Sequence, residues 1–211
     1  MSPRRLYEEE LKQLQESVEE MGMGVRATYA RLFSALQQQK ESVIEEIIAS
    51  DQSTHTLQRR IEGSCLNLIT KQQPIARDLR QISASLKVVT DISRIGDQCS
   101  DIAELVKRMH FKDLQEFSAH IPQMIEETGK QLTEAINAFV DRNAESAQHV
   151  VAGDDTVDDL FNQVKNDVIA HLRSEAKDPD DCIDVMMFAK YLEKIGDHAV
   201  NIAVSYTHLR A

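Results

Sequence analysis

Carboxylates at helical spacing are the residues of this chain best placed to do chemistry, and they come in two sets. Ser93-Arg94-Ile95-Gly96-Asp97 runs into Gln98-Cys99-Ser100-Asp101-Ile102-Ala103, and Glu193-Lys194-Ile195-Gly196-Asp197 runs into His198-Ala199-Val200-Asn201-Ile202-Ala203. The second Ile-Gly-Asp triplet follows the first by 100 residues in a chain of 211. A period of half the chain marks a tandem duplication, since solenoid repeats recur every ~20–50 residues. Turning about 100° per residue, positions 93, 97 and 101 fall at about 160°, 200° and 240° from Ile95, while Cys99 and Ile102 stay close to it. Asp97 and Asp101 in one copy, and Glu193, Asp197 and Asn201 in the other, therefore form strips of oxygen ligands expected opposite the apolar face. Asp154 and Asp158, four residues apart, are neighbours on another helix. Asp51 and His55 are their first-repeat counterparts, because Leu57 and Leu160 stand at matching offsets. Carboxylates from two adjacent helices can converge on a cation: Mg²⁺, Mn²⁺ and iron favour such ligands and Zn²⁺ tolerates them. The plain alternative is a solvated acidic face, since acids at i, i+4 repel by only about 0.2–0.5 kcal/mol.

Long helices must position these strips. The sequence has 7 Gly, 4 Pro and no Trp, so backbone breakers are few. Breaks near Gln39-Lys40, Gln73-Pro74, Lys112-Asp113, Arg142-Asn143 and Asp178-Pro179 leave six segments, 4–38, 40–72, 74–110, 113–142, 144–176 and 179–204. Asp178 reads as an N-cap ahead of Pro179. Ile75, Leu79, Ile82, Leu86, Val89, Ile92, Ile95, Cys99, Ile102 and Val106 form one apolar stripe at steps of three and four. Ile183, Met187, Leu192, Ile195, Ala199 and Ile202 form another, and Met186-Met187-Phe188 reads as core. No segment alternates with period two, so no sheet is expected. The fold class is all-α, two tandem antiparallel three-helix bundles covering residues 1–110 and 111–211 and packed directly on each other. Gly96 and Gly196 each cost about 1 kcal/mol inside a helix, which points to close approach of a neighbouring helix at both places. Residues 205–211 continue no apolar stripe and are expected to be atypical, outside the last helix.

Composition disfavours several functions. A formal charge of −11 opposes nucleic-acid binding and adhesion to anionic lipid, and suits basic partners or cations. No apolar run approaches the ~20 residues of a membrane span, so no direct membrane insertion is expected. Cys65, Cys99 and Cys182 are scattered and read as buried thiols of a reducing, cytoplasmic compartment. Walker, Gly-x-Ser-x-Gly and His-Glu-x-x-His motifs are missing, and so are the Glu-x-x-His pairs of di-iron bundles. Gly22-Met23-Gly24 lacks the strand and third glycine of a dinucleotide loop. His55 and His198 read as surface residues.

The chain resembles the PhoU family of phosphate-transport accessory proteins. The resemblance rests on Gln72-Gln73-Pro74-Ile75-Ala76-Arg77-Asp78-Leu79-Arg80-Gln81-Ile82, on Leu86 to Asp91 running into Arg94-Ile95-Gly96-Asp97, on Asp154 to Leu160, on Ala189 to Ala203, and on Glu20-Met21-Gly22. It implies a cytoplasmic, non-enzymatic regulator of phosphate uptake and the phosphate starvation response, expected as a homodimer. Its implied partners are the ATPase subunit of a phosphate ABC transporter and a sensor histidine kinase. It also implies metal, iron or zinc among the candidates, at Glu/Asp-x-x-x-Asp motifs, which Glu193/Asp197 and Asp97/Asp101 match. This chain departs from the family pattern at Ser93 and His55, where acids are usual, so the second strip with Glu193, Asp197, Asp154 and Asp158 is the expected metal site. A metal-dependent phosphoester hydrolase and a plain acidic scaffold are the competing readings.

Overall fold

A computed structural model describes residues 3–72, 74–109, 113–141, 143–174 and 179–210, the side chains of residues 3, 51, 72 and 208–210 excepted. The helices are α1 (Pro3–Gln37), α2 (Glu41–Gln72), α3 (Ala76–Arg108), α4 (Ile121–Val140), α5 (Ala144–Ala152), α6 (Asp154–Arg173) and α7 (Pro179–Arg210), with a 3-10 turn at Leu114–Glu116. Helices α1, α2 and α3 form one three-helix bundle; α4, the α5–α6 pair and α7 form the second. The bundles pack directly, α3 against α7 and α1 against α4. The proposed boundary between residues 110 and 111, the Asp178 cap, and Gln73, Lys112 and Arg142 of the other breaks lie outside the described residues.

Local chemistry explains the turns. Between α1 and α2 the chain reverses through Gln39 at φ 51°, a left-handed conformation that costs a side-chain-bearing residue about 1–2 kcal/mol. Lys40 N donates to Ala35 O at 2.9 Å and closes the end of α1 there. The fourth segment does not become helical at residue 113. Asp113 caps the 3-10 turn through Gln115 N, and α4 begins only at Ile121, with proline in its first turn, where proline's missing N–H costs nothing. The fifth segment is broken at Gly153, whose N–H closes α5 on His149 O and Val150 O. That break places Asp154 and Asp155 in the first turn of α6, where the helix dipole favours acids.

The core runs through the α3–α7 contact, where Ile92, Ile95, Ile102, Leu192, Ile195 and Ile202 are buried. Each such side chain contributes roughly 1.5–3 kcal/mol through removal from water. All three cysteines are buried, and burial pushes the Cys99 thiol up to about 12. Three expectations fail. Residues 205–210 continue α7: Tyr206 is buried and meets Phe139 edge-on at 6.4 Å, so one aromatic side chain extends the stripe that aliphatic periodicity did not show. Ile75 and Leu79, counted in the stripe of α3, are exposed, because among the described residues no helix covers them at that end of the first bundle. Ile183 and Met187 are exposed as well; Cys182, Val185 and Phe188 form the buried face of that stretch.

Candidate functional site

The oxygen-bearing strips are not simply solvated faces opposite the core: Asn201 is exposed, but Ser93 is buried and Asp97, Asp101, Glu193 and Asp197 are half-buried. Helices α3 and α7 are central and are packed on more than one side, so each strip is pressed against a neighbouring helix. The two glycines allow this. A Cβ at Gly96 would stand 3.3 Å from Thr54 Cγ2 of α2, and one at Gly196 would stand 2.9 Å from Gln131 Oε1 of α4 and 3.4 Å from Val157 Cγ1 of α6.

In the second strip, Glu193 and Asp197 project from adjacent turns of α7 toward the start of α6. Burial, then Asp158, Asp197 and Asp155, raise the carboxyl pKa of Asp154 above the ordinary value. Burial, then Glu193 and Asp197, raise that of Asp158, with Lys190 opposing. The four acids thus lie within electrostatic reach of one another. Lys190 pairs with Glu193 and stacks over the Phe161 ring at 5.1 Å, and Lys194 Nζ donates to Asp197 Oδ2 at 2.6 Å. Asn201, one turn beyond, is exposed. Among the described residues, no three His, Cys, Asp or Glu side chains take up a metal-ligating arrangement. The donor chemistry nevertheless fits a hard or borderline cation. Four carboxylates face two ammonium groups, so negative charge remains in excess there, and Glu193 Oε2 is the buried oxygen that Lys190 meets.

The first strip is built differently. Ser93 is 2% exposed, and its hydroxyl lies 3.3 Å from His55 Nδ1. His55 Nε2 stands 3.2 Å from Asp97 Oδ1, and Arg94 Nη1 donates to Asp97 Oδ2 at 3.2 Å. His55 is therefore an α2-to-α3 bridge rather than a surface residue. The trio contains the residue types of a hydrolytic nucleophile set, but a serine this buried cannot meet a substrate. Its work is structural, satisfying polar atoms where two helices touch. The Asp51 side chain lies outside the described residues. Asp101 lies toward α7 instead, close enough to help burial raise the Tyr191 phenol pKa.

Sequence reasoning missed the polar links between the bundles. His198 Nδ1 lies 2.9 Å from Asp91 Oδ1, joining α7 to α3, so His198 too is no bystander. Arg108 forks onto Asp184, with Nε donating to Oδ2 at 2.8 Å. Tyr29 donates to Ile125 O at 2.7 Å across α1 and α4. No local spacing signals these pairs, which depend on the register between distant helices. The lysines that balance the second strip carried a weak signal in their i, i+3 spacing to Glu193 and Asp197.

Comparison with known proteins matches this architecture. The PhoU domain model matches residues 18–106 and, a second time, 121–205. The phosphate-specific transport system accessory protein PhoU homolog of Clostridium acetobutylicum is 31% identical over 207 residues, covering 98% of this chain and 94% of that protein. PhoU homolog 1 of Methanothermobacter thermautotrophicus is 30% identical over 209 residues, covering 95% and 92%. Among solved structures, PhoU from Pseudomonas aeruginosa superimposes with a TM-score of 0.91 at 24% identity, over 97% of this chain and 98% of that one. The regulatory protein PhoU from Streptococcus pneumoniae gives 0.88 at 23%, over 97% of each.

Proposed function

This chain belongs to the PhoU family, and from that premise we propose that it regulates phosphate uptake and the phosphate starvation response in the cytoplasm. It acts as a non-enzymatic adaptor between the ATPase subunit of a phosphate ABC transporter and a sensor histidine kinase. The observation that carries this reading is the full-length likeness, about 30% identity, to proteins named accessory to phosphate-specific transport. Among the described residues no helix is long and apolar enough to cross a membrane, as befits a partner of a transporter rather than the pore itself. The direct test is co-purification with the ATPase subunit and with the kinase, at low and high phosphate. Binding to at least one, changing with phosphate, is expected; binding to neither overturns the reading.

The second strip is where this reading places metal. Asp154, Asp158, Glu193 and Asp197 would hold a cation, iron, zinc, magnesium or manganese, and the bound cation would supply the positive charge that Lys190 and Lys194 only partly provide. The four carboxylates would orient that ion between α6 and α7. Elemental analysis of protein purified without chelator should find metal in the wild type. In Glu193→Ala/Asp197→Ala the affinity should fall by about a hundredfold or more, since even outer-shell losses cost about 10–100-fold. Equal metal content in both would remove the strip from the proposal.

A further inference from the structure

The exposed end of the first bundle stands apart from the rest of the chain in charge and apolarity. Residues 59–87 hold six basic side chains, Arg59, Arg60, Lys71, Arg77, Arg80 and Lys87, against Glu62 and Asp78, in a chain with 24 basic and 35 acidic residues. None of the six forms an ion pair among the described residues, although many cations elsewhere do, Arg31, Lys107, Arg108 and Lys130 among them. Lys71, Arg77 and Arg80 lie within a few residues of the α2–α3 junction, so along the helix axes they are within about 8 Å of the tip. Beside them Ile75 is 71% exposed and Leu79 40%, at the start of a helix whose later stripe is buried. Tyr7 donates to Asp78 Oδ2 at 3.1 Å and so brings the start of α1, with exposed Leu6, to the same end. The nearby acids are partly engaged: Asp78 by Tyr7, and Glu8 by Arg4 at 3.2 Å. Glu9 and Glu10 remain as opposing charges.

We propose that this end docks on an anionic phospholipid surface, with Lys71, Arg77 and Arg80 on lipid phosphates and Ile75 and Leu79 in the interfacial layer. Two observations favour lipid over an acidic protein segment. The apolar side chains stand exposed at the start of a helix, which suits a soft interface better than a peptide, which needs a groove. The groove that does adjoin the patch, 280 Å³ between α1 and α2, is lined mainly by polar side chains, Arg60, Lys71, Ser64 and Asn67 with Glu10, over buried Leu14 and Leu68, and fits a headgroup better than an apolar side chain. The net charge of −11 does not forbid such docking. At physiological salt, charges more than about 8 Å from the surface are screened, so the local patch decides. Each basic residue near an anionic surface is worth about fivefold in partitioning.

The test is flotation of the full chain with vesicles of pure phosphatidylcholine and of phosphatidylcholine mixed with phosphatidylglycerol, in chelator. The chelator makes the outcome independent of the metal proposed for the second strip, and no transporter or kinase is present. Retention on the mixed vesicles alone is expected, weakening with salt and unaffected by inorganic phosphate. Arg77→Glu/Arg80→Glu should lower partitioning by several hundredfold, on the order of 5 to the fourth power, because two attractions become repulsions. Ile75→Ser/Leu79→Ser should lower it less. Both pairs are exposed, so unchanged thermal unfolding will show that the variants fold. No retention on mixed vesicles overturns the proposal, as does retention that both variants keep. Binding to polyglutamate without binding to vesicles would also overturn it, assigning the patch to an acidic protein.

Discussion

The two strips share a backbone frame and differ in what balances their acids. On α7, Glu193 and Asp197 face Asp154 and Asp158 of α6, and among the described residues Lys190 and Lys194 offset them. On α3, the position equivalent to Glu193 is Ser93, the position equivalent to Asp158 is His55, and the polar atoms satisfy one another: Ser93 on His55, His55 on Asp97, Arg94 on Asp97. Duplication supplied two identical tasks, namely seating a polar strip beneath a neighbouring helix. One copy does it with a closed polar bridge. The other leaves charge unbalanced in the place where a cation would fit.

The strongest way to break this comparison is to rebuild the first strip as the second. Ser93→Glu/His55→Asp removes the bridge and puts a carboxylate at a position that is now 2% exposed. In chelator the variant should lose about 3–5 kcal/mol, the cost of an uncompensated buried charge. Adding the cation proposed for the second strip should restore most of that loss and roughly double metal uptake at saturation. Thermal unfolding with and without chelator, beside elemental analysis, reads both. A variant that is destabilised and stays so with metal would show that the frames of the two strips are not equivalent.

How far these strips could be read in advance depends on the kind of interaction. Gly96 and Gly196 were legible because a glycine inside a helix is unfavourable unless a neighbour needs the space, and Thr54 and Gln131 occupy that space. The acids were legible because 3.6-residue periodicity places them on one face. That face was misassigned to solvent because periodicity orients a helix against one neighbour and says nothing of a second. The same gap let Ile75 and Leu79 pass for core: the stripe continues, but among the described residues no helix covers it there. The His55 bridge needs the register of α2 on α3, which no local pattern encodes. Tyr206 was hidden because its contact with Phe139 joins residues 67 positions apart.

A smaller effect tests the balance itself, because the equivalent positions His55 and Asp158 should respond with opposite sign. His55→Ala leaves the Ser93 hydroxyl and a buried Asp97 oxygen without their neighbour, and should cost about 1–2 kcal/mol. Asp158→Asn removes one of four repelling acids while keeping the side chain's shape. In chelator it should stabilise by no more than about 1 kcal/mol, because Asp158 is exposed and solvent screens much of the repulsion. Urea midpoints at neutral pH measure both. Two losses of similar size would mean that Asp158 is held by contacts rather than strained by charge.

The smallest test compares the two ends of α6. Near its start, neighbouring acids and burial raise the pKa of Asp154 and Asp158; near its end, Asp167 accepts from the Ser118 hydroxyl at 2.6 Å and lies 2.8 Å from His120 Nδ1. The Ser118 bond first, and then the His120 bond, hold the Asp167 carboxyl below the ordinary carboxylate value. A lowered acid binds protons less well folded than unfolded, so its contribution is complete above the ordinary pKa and is lost as pH falls through the lowered one. Raised acids do the reverse: their penalty is complete above the raised pKa and is relieved as pH falls through it. Denaturation curves taken in chelator from neutral pH down to about 3 should therefore lose less stability in Asp167→Asn than in wild type, and more in Asp158→Asn. Each difference should stay under about 1 kcal/mol, since the Asp167 side chain is 36% exposed and its interactions are screened. If the two variants shift the acid limb in the same direction, the acids of α6 titrate as one population, and the contrast between satisfied and strained carboxylates fails along this helix.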